Sequence, residues 1–293
     1  MNFAEKLKTL RKQKSISQEQ LAEKIHVSRQ AITKWESGNG IPDIENLLAI
    51  SSIFNESIDS LLSEEKSLIS KNEFLYDSRT EYDLDSPKKI DLKIGTAHEL
   101  IIEKTSDEKI QVIAASNKLS FIKQQVKVKI EEDKRNMDVV VKHTSDLSDL
   151  ASLENLFILV RIPVKFVADI ELNAELENLK IRDIVFDSIE FDGKAKNVFV
   201  TNASGHIELN TNSNIKMEVN GVKGKIDLNH FHAVSKINMA EGQNYYLKNA
   251  GRFTRFVDSN AKVISGKREK ENPQVETDLI VELNGWKSEV QII

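Results

Sequence analysis

The sequence of 293 residues contains no cysteine, only four prolines and 6% aromatic residues. Without cysteine, neither a disulfide framework nor a thiolate zinc site is available. The longest apolar run, LFILV at 156–160, is far shorter than the roughly 20 residues that span a bilayer. The N-terminus also lacks the apolar core of a signal peptide. We therefore expect a cytoplasmic protein that makes no contact with a membrane.

Charge is unevenly distributed, although the net charge of the chain is only −5. Residues 1–34 carry eight basic and three acidic side chains, whereas residues 35–62 carry five acids and no lysine or arginine. A small domain divided in this way has one face that attracts anions. The net charge of −5 then belongs to residues 63–293, which we expect to repel phosphate backbones.

Apolar residues at helical spacing predict five short helices within residues 2–62. Ser17 and Gln20 are spaced as a capping box at the start of the second helix, and Ser28 is placed to cap the third. The fourth helix is predicted from Asp43 and the fifth from Ser57. The apolar residues of the fourth helix are Ile44, Leu47, Leu48 and Ile50.

Residues 66–89 are rich in charge and show no clear period, so we predict that they form a linker. From Ile90 onward, apolar and polar residues alternate with the period of two that is typical of strands. The predicted fold is therefore α + β and multidomain. A five-helix domain at 1–65 precedes an all-β domain at 90–293.

An internal repeat lies in the second domain and is clearest at 165–250. Tetrapeptides of the type IELN begin at Ile170, Ile189, Ile207 and Ile226. A second column of apolar triplets begins at Leu179, Val198, Met217 and Ile237. Fixed periods near 20 residues are typical of stacked supersecondary units, which favours a β-solenoid. An antiparallel β-sandwich with evenly spaced strands is the alternative, and VELNG at 281–285 resembles one more coil.

The repeat also aligns acidic residues, but we predict neither metal nor cofactor. We interpret the acids as a solvated face whose repulsion is relieved by neighbouring lysines. They are Glu171, Glu190, Glu208 and Asp227. His230 and His232 stand two residues apart without a further His-rich cluster, so a metal site is not predicted. Since no nucleophile or phosphate-loop motif is present either, we predict that the protein is not an enzyme.

The third helix opens with long polar side chains, which is the feature that bears on function. An α-helix fits the major groove of B-DNA, and the side chains at its N-terminus reach the base edges. Arg29 can make two hydrogen bonds to guanine and Gln30 two to adenine, and Lys34 reaches a base or a phosphate. Unpaired backbone donors at the start of the second helix, with Gln18, suit a phosphate. The predicted DNA-binding residues are Gln18, Ser28, Arg29, Gln30, Thr33, Lys34, Ser37 and Asn39.

The segment ISQEQLAEKIHVSRQAITKWESG at 16–38 resembles the helix-turn-helix of the phage repressor/Cro family, also called the XRE family. The resemblance covers residues 3–62 and implies a DNA-binding regulator. It also implies an ion pair between Arg11 and Glu36. One departure is His26, since the family often has glycine there in a left-handed conformation. Histidine adopts positive φ more readily than most residues, so we expect an intact turn.

The C-terminal part, about 165–293 with RIPVKF at 161–166 before the repeat, resembles the adhesin-like β-solenoid repeats of Gram-positive bacterial proteins. This second resemblance implies a fold and no particular ligand. Together, these features predict a transcription regulator, a repressor rather than an activator. It would bind double-stranded DNA as a homodimer on a two-fold operator. The β-domain would provide oligomerisation, or would sense a protein or small-molecule effector. An antitoxin or adaptor tethered to DNA is the alternative.

Overall fold

The computed structural model describes residues 3–14, 16–54, 74–264 and 279–293. The chain divides into two compact units, Met1–Ser70 and Lys71–Ile293, which we call the helical unit and the strand unit. The described helices of the first are α1 (Phe3–Gln13), α2 (Gln18–Lys24), α3 (Arg29–Glu36) and α4 (Ile44–Phe54). The fifth helix that we predicted from Ser57 lies outside the described residues.

Side-chain caps determine where α2 and α3 begin. The hydroxyl of Ser17 accepts a hydrogen bond from the backbone N–H of Gln20 at 3.1 Å, and the side chain of Gln20 accepts one from the N–H of Ser17 at 2.7 Å. This pair confirms the predicted capping box. The hydroxyl of Ser28 accepts from the backbone N–H of Ala31 at 3.2 Å. These bonds satisfy donors that the first turn of a helix leaves unpaired.

The core of the helical unit takes side chains from all four helices. Leu7, Leu21, Ile32 and Ile50 are fully buried, one from each helix. In α4, however, Ile44 and Leu48 are 73% and 54% exposed, so our expectation that they belong to the apolar side of this helix is wrong. The reason is geometric, because the buried residues Leu47, Ile50 and Phe54 occupy a different side of α4.

The strand unit contains fourteen strands and two short helices among its described residues. The helices are α5 (Ile122–Gln125) and α6 (Asp149–Asn155). The strands are β1 (Tyr76–Asp83), β2 (Lys88–Lys104), β3 (Lys109–Ser116), β4 (Val126–Glu132), β5 (Asn136–His143), β6 (Phe157–Ile162), β7 (Val167–Thr211), β8 (Lys216–Asn220), β9 (Lys223–Phe231), β10 (Val234–Met239), β11 (Tyr245–Asn249), β12 (Arg255–Val257), β13 (Leu279–Trp286) and β14 (Glu289–Ile292). Within the described residues, no helix is both long enough and apolar enough to cross a bilayer.

Strands of the repeat pair in parallel, with equivalent residues side by side. The pairs are Ile207–Ile226 and Ile226–Val281 from the first predicted column, and Val198–Met217 and Met217–Ile237 from the second. Antiparallel pairing between described strands is restricted to β1–β3, β3–β6 and β4–β5. The antiparallel sandwich that we considered as the alternative therefore does not describe this unit, since its strands would alternate in direction.

Stacking of the repeat explains which side chains are buried. The isoleucines that open the four predicted tetrapeptides are at most 1% exposed: Ile170, Ile189, Ile207 and Ile226. Each such row buries its apolar surface against the rows before and after it, as in other stacked folds. The acids that follow them contact cations or amides, in the pairs Glu171–Lys89, Glu190–Asn210, Glu208–Asn229 and Asp227–Lys225.

The last two strands of the chain do not lie at the end of the stack. β13 lies between β9 and β11, and β14 lies between β10 and β12. The further coil predicted from VELNG at 281–285 is thus confirmed as β13, but its neighbours are not those of a terminal coil. A sequence period cannot reveal this insertion, because the period records spacing along the chain and not the order of stacking.

The predicted linker at 66–89 requires a correction. Residues 76–83 form β1, which pairs antiparallel with β3, and β2 already begins at Lys88. The strand was missed because it has little apolar character: its sequence is YDSRTEYD, and its side chains alternate between half-buried and exposed. A half-buried edge strand tolerates charge on both faces, so its alternation is weak in the sequence.

Candidate nucleic-acid interface

A partly buried ion pair joins α1 to the end of α3. Nε and Nη2 of Arg11 donate hydrogen bonds to the two carboxylate oxygens of Glu36 at 2.6 and 3.0 Å. Their side chains are only 12% and 3% exposed. The ion pair that the family resemblance implied is therefore confirmed. Arg11 also donates to the carbonyl of Ile16 at 2.9 Å, which ties the same guanidinium to the segment before α2.

Gln18 completes this network from the start of α2. Its Nε2 donates to Glu36 at 2.8 Å, and its Oε1 lies 3.3 Å from the hydroxyl oxygen of Thr33, whose one proton is shared with the carbonyl of Arg29. Burial acts to raise the pKa of Glu36, but hydrogen bonds from Arg11 and Gln18 outweigh it and hold the pKa below its usual value. The amide of Gln18 is thus mainly occupied within the protein, and one of its two N–H bonds is left for the phosphate contact that we predicted.

Helix α3 has two distinct sides. Ile32 is fully buried and Trp35 is 8% exposed, so this side is fixed in the core. Arg29, Gln30 and Lys34 are exposed. Residues four apart lie on the same side of a helix, so the side chains of Gln30 and Lys34 share a face, while Arg29 lies about 100° around the helix from Gln30 in its first turn. All three side chains that we predicted to read bases are thus accessible at the exposed part of α3.

The smaller polar residues mostly shape the ends of α3. Ser28 uses its hydroxyl as the cap described above, while Thr33 donates to the carbonyl of Arg29 at 3.0 Å. After the helix, the hydroxyl of Ser37 donates to the carbonyl of Lys34 at 3.0 Å and accepts from the side chain of Asn39 at the same distance. All four side chains are exposed. They fix local geometry and remain accessible at the rim of the surface formed by Arg29, Gln30 and Lys34.

The turn between α2 and α3 contains the unusual residue that the sequence indicated. His26 has a φ of 58°, in the left-handed region, as expected for the position where the family often has glycine. The N–H of Val27 donates to the carbonyl of Ala22 at 3.0 Å, so the turn closes normally. The side chain of His26 is exposed and does not disturb the contact between the two helices.

One neighbour of the surface was not anticipated. The carboxylate of Glu19 lies 3.8 Å from Nη1 of Arg29, and both side chains are more than 60% exposed. The two residues come from different helices, so no local sequence pattern indicates their proximity. An exposed pair of this kind contributes little to stability. It does, however, place a negative charge beside the side chain that is best suited to reading guanine.

Comparisons with known proteins place this surface in a family. The sequence profile described as Helix-turn-helix matches residues 7–61. The HTH-type transcriptional regulator YonR of Bacillus subtilis (strain 168), of SPbeta prophage origin, is 35% identical over 78 residues, which are 27% of this chain and 72% of that protein. The chain belongs to the helix-turn-helix family of transcriptional regulators. The HTH-type transcriptional activator BcrR of Enterococcus faecalis is 56% identical over 66 residues of this helix-turn-helix protein, or 22% of its length.

The alignments with the curated relatives extend over 61 to 78 residues of this chain. The aligned residues cover only 32% of BcrR and 54% of a second B. subtilis relative, so the chain spans a third to a half of these proteins. A solved structure described as a cell adhesion protein of Clostridium sporogenes aligns with this helix-turn-helix protein. The alignment covers 74% of this chain and 98% of the solved one. The TM-score is 0.34 and the sequence identity is 10%.

Proposed function

We propose that this helix-turn-helix protein is a sequence-specific DNA-binding transcription regulator that reads the major groove with α3. The observation that carries the proposal is the division of α3 into a buried side at Ile32 and Trp35 and an exposed side at Arg29, Gln30 and Lys34. Burial holds the helix rigidly, so its polar side chains are presented in a defined geometry. Rigid presentation is what base-specific hydrogen bonds require.

Each predicted residue receives a role in this proposal. Arg29 reads guanine through two hydrogen bonds, Gln30 reads adenine, and Lys34 contacts a base or a phosphate. Ser28, Thr33 and the backbone N–H groups near Gln18 hold phosphates on one side of the groove. Ser37 and Asn39 are placed after α3 for the opposite side. Phosphate contacts set the position of the helix, and base contacts supply the sequence preference.

The protein is proposed to act as a homodimer on a two-fold operator, because one module buries little surface and reads only a half-site. Support comes from Ile44 and Leu48 of α4, which lie one turn apart and are 73% and 54% exposed. Ile41, just before α4, is 69% exposed as well. Large apolar side chains grouped on a surface mark interfaces, and we assign this group to contact with a second copy.

The strand unit is proposed to be a β-solenoid that provides oligomerisation or senses a protein or small-molecule effector. Parallel pairing at the repeat period supports the solenoid. A coupling free energy of only about 1–3 kcal/mol between the units would suffice for regulation. An antitoxin or adaptor that grips another protein while tethered to DNA is the second candidate. We propose no enzyme activity and a cytoplasmic location, where the DNA would be.

We propose repression as the direction of regulation, since a dimer on a two-fold operator can exclude other proteins from the same DNA. BcrR, which has a similar helix-turn-helix, is named as an activator, so the direction of regulation needs its own test. A reporter gene driven by a recovered operator decides between them: deletion of the regulator raises expression if the protein represses and lowers it if the protein activates.

The experiment that tests the proposed function is genome-wide recovery of bound DNA with the full-length protein and with residues 1–65. Full-length protein is expected to enrich a small set of sites that share a two-fold sequence. Residues 1–65 should retain the half-site preference and lose occupancy if the strand unit supports dimerisation. Recovery of DNA without a shared sequence would contradict specific recognition, and stoichiometric co-purification of another protein would favour the adaptor.

A further inference from the structure

Six residues of the strand unit form an exposed group of rings and cations, which we call the aromatic corner. They lie where β9 and β13 end and in the connection between β11 and β12. Trp286 pairs in parallel with Phe231 and forms a bridge with Arg252, so three successive turns lie side by side. The members of the aromatic corner are Phe231, His232, Arg252, Phe253, Trp286 and Lys287.

The rings of the aromatic corner are accessible, and three of them are in mutual contact. Phe231 is 50% exposed, Trp286 38% and Phe253 69%. The ring centroids of Phe231 and Trp286 are 5.7 Å apart, and the ring of His232 lies 4.8 Å from the first and 5.8 Å from the second. Such distances are typical of interacting aromatic pairs. Phe231, His232 and Trp286 therefore form one continuous surface of exposed rings, and Phe253 lies in the neighbouring turn.

Packing of the strand unit does not require aromatic residues at this position. Thr211 of β7 pairs with His230 of β9, so Asn212 occupies in the preceding coil the place that Phe231 has in the next. Asn212 is exposed and polar, and the turn forms around it. A phenylalanine that is 50% exposed forgoes much of the stabilisation that full burial would provide. The folding of this turn therefore does not account for the aromatic side chain of Phe231.

The backbone holds these side chains in an uncommon conformation. His232, Phe253 and Lys287 have φ values of 54°, 59° and 50°, a region that bulky residues rarely adopt. Hydrogen bonds between the stacked turns maintain it: the N–H of His232 donates to the carbonyl of Trp286 at 3.0 Å, and the N–H of Lys287 donates to that of Arg252 at 3.1 Å. The backbone of these turns is therefore fixed before any partner arrives, which lowers the entropic cost of binding.

The charge of the aromatic corner is positive. The guanidinium of Arg252 lies 5.6 Å from the ring centroid of Phe253, and Nζ of Lys287 lies 5.1 Å from that of Trp286. In the described ranges, neither cation is within ion-pair distance of a carboxylate, although nearby Arg255 is paired with Glu289. Two cations that contact rings rather than acids are complementary to an anionic partner.

We propose that the aromatic corner is the docking surface for a partner protein that presents an apolar or aromatic side chain flanked by aspartate or glutamate. Trp, Phe and Arg are the residue types that dominate the cores of protein interfaces. A symmetric contact with a second copy is disfavoured, because it would bring the cations of both copies together. Nucleic acid is disfavoured because the net charge of −5 on residues 63–293 opposes a chain with one phosphate per nucleotide more strongly than a peptide with one or two carboxylates. This inference rests on the proposed sensing role of the strand unit and names its partner.

A random dodecapeptide display library, selected on the full-length protein, tests the docking surface. We expect enrichment of peptides that combine Trp, Phe or Leu with Asp or Glu. Phe231→Asn, which copies Asn212 of the preceding coil, should lower the affinity for a synthetic copy of an enriched peptide at least tenfold. Arg252→Glu should lower this affinity by a similar factor. Binding should also weaken as salt rises. Fluorescence of Trp286 provides the readout, since Trp35 is buried in the other unit.

Duplex binding measured on the same variants separates this proposal from the proposed function, because Arg29 and Gln30 are unchanged in them. Far-ultraviolet circular dichroism shows that each variant is folded. The docking surface would be overturned if peptides were enriched no more on the unsubstituted protein than on the Phe231→Asn protein. Enriched peptides that contain no acidic residues would also overturn it. Binding of a single-stranded dT12 oligonucleotide that is lost on Phe231→Asn, without peptide binding, would replace the proposal by a nucleic-acid site.

Discussion

Arg11 and Glu36 form a two-point ion pair that links the first helix to the end of the helix that presents Arg29. The pair is almost inaccessible to water, with Glu36 only 3% exposed. With Gln18 as a third member, this network joins α1 and the start of α2 to the end of α3. Removing one member of such a pair leaves the other buried and uncompensated, which costs more than the pair itself contributes.

Glu36→Gln should therefore destabilise the helical unit by about 3 kcal/mol, because it leaves the guanidinium of Arg11 without a negative partner. Urea denaturation followed by helical circular dichroism measures the change. Glu19→Gln, at an acid that is 63% exposed, is the matched control and should shift the midpoint very little. Since the pKa of Glu36 is lowered on folding, its contribution is present at neutral pH and is lost as the pH falls below about 4.5. Equal effects of the two substitutions would contradict this assignment.

Glu19→Gln should raise the affinity for duplex DNA about two- to fivefold. The carboxylate lies 3.8 Å from Nη1 of Arg29 and would also face the phosphates. Fluorescence anisotropy with a recovered operator at two salt concentrations measures the gain, which should shrink at high salt. The same substitution at Glu45, an exposed acid of α4, is the control for a general change in charge. A gain that is equal at both positions would show that Glu19 does not act through Arg29.

His230 should make the strand unit less stable in mild acid. It is fully buried, and burial lowers its pKa from 6.5 to about 4. The unfolded chain therefore binds a proton at higher pH than the folded chain does. Stability should be complete above pH 6.5 and decline toward pH 4, by up to about 3 kcal/mol.

His230→Gln removes this titration and should flatten the pH dependence of the urea midpoint between pH 4 and 6.5. His232→Gln is the matched control, since His232 lies two residues away and is exposed. The measurement follows the circular dichroism of the strands at several pH values. A pH dependence that is the same in both variants would exclude His230 as its source.

Leu48→Glu should weaken binding to a two-fold operator at least tenfold while binding to a single half-site stays the same. A charge placed on the exposed apolar group of α4 opposes contact between two copies and leaves the surface of α3 unchanged. Titration of full-site and half-site duplexes by anisotropy measures both affinities. Ser52→Glu, on an exposed position of the same helix, is the control. Parallel losses on both duplexes would show that Leu48 supports folding instead.

The sequence revealed those parts of the protein that depend on local chemistry or on regular spacing. Capping by Ser17, the left-handed turn at His26 and the rows headed by Ile207 and Ile226 all follow from such patterns, and the structure agrees. Spatial relations between distant segments did not follow. The insertion of β13 between β9 and β11 and the approach of Glu19 to Arg29 depend on how separate elements pack.

Some errors have a physical cause that the sequence does not display. In β1, charged side chains conceal the alternation, because an edge strand buries little on either face. At Ile44 and Leu48, hydrophobicity suggested burial, although the core of α4 is already filled by other residues. The hydrophobicity of a residue indicates that burial would be favourable. Whether the residue is buried depends on the packing of the other residues around it.

The account depends most on the assignment of base recognition to the start of α3, and one comparison tests it most directly. The ratio of affinities for the recovered operator and for an unrelated duplex should fall about 10- to 100-fold in Arg29→Ala. In Lys24→Ala, an exposed lysine of α2, both affinities should change little and the ratio should stay the same. An unchanged ratio in Arg29→Ala, and likewise in Gln30→Ala, would contradict reading of the major groove by this helix.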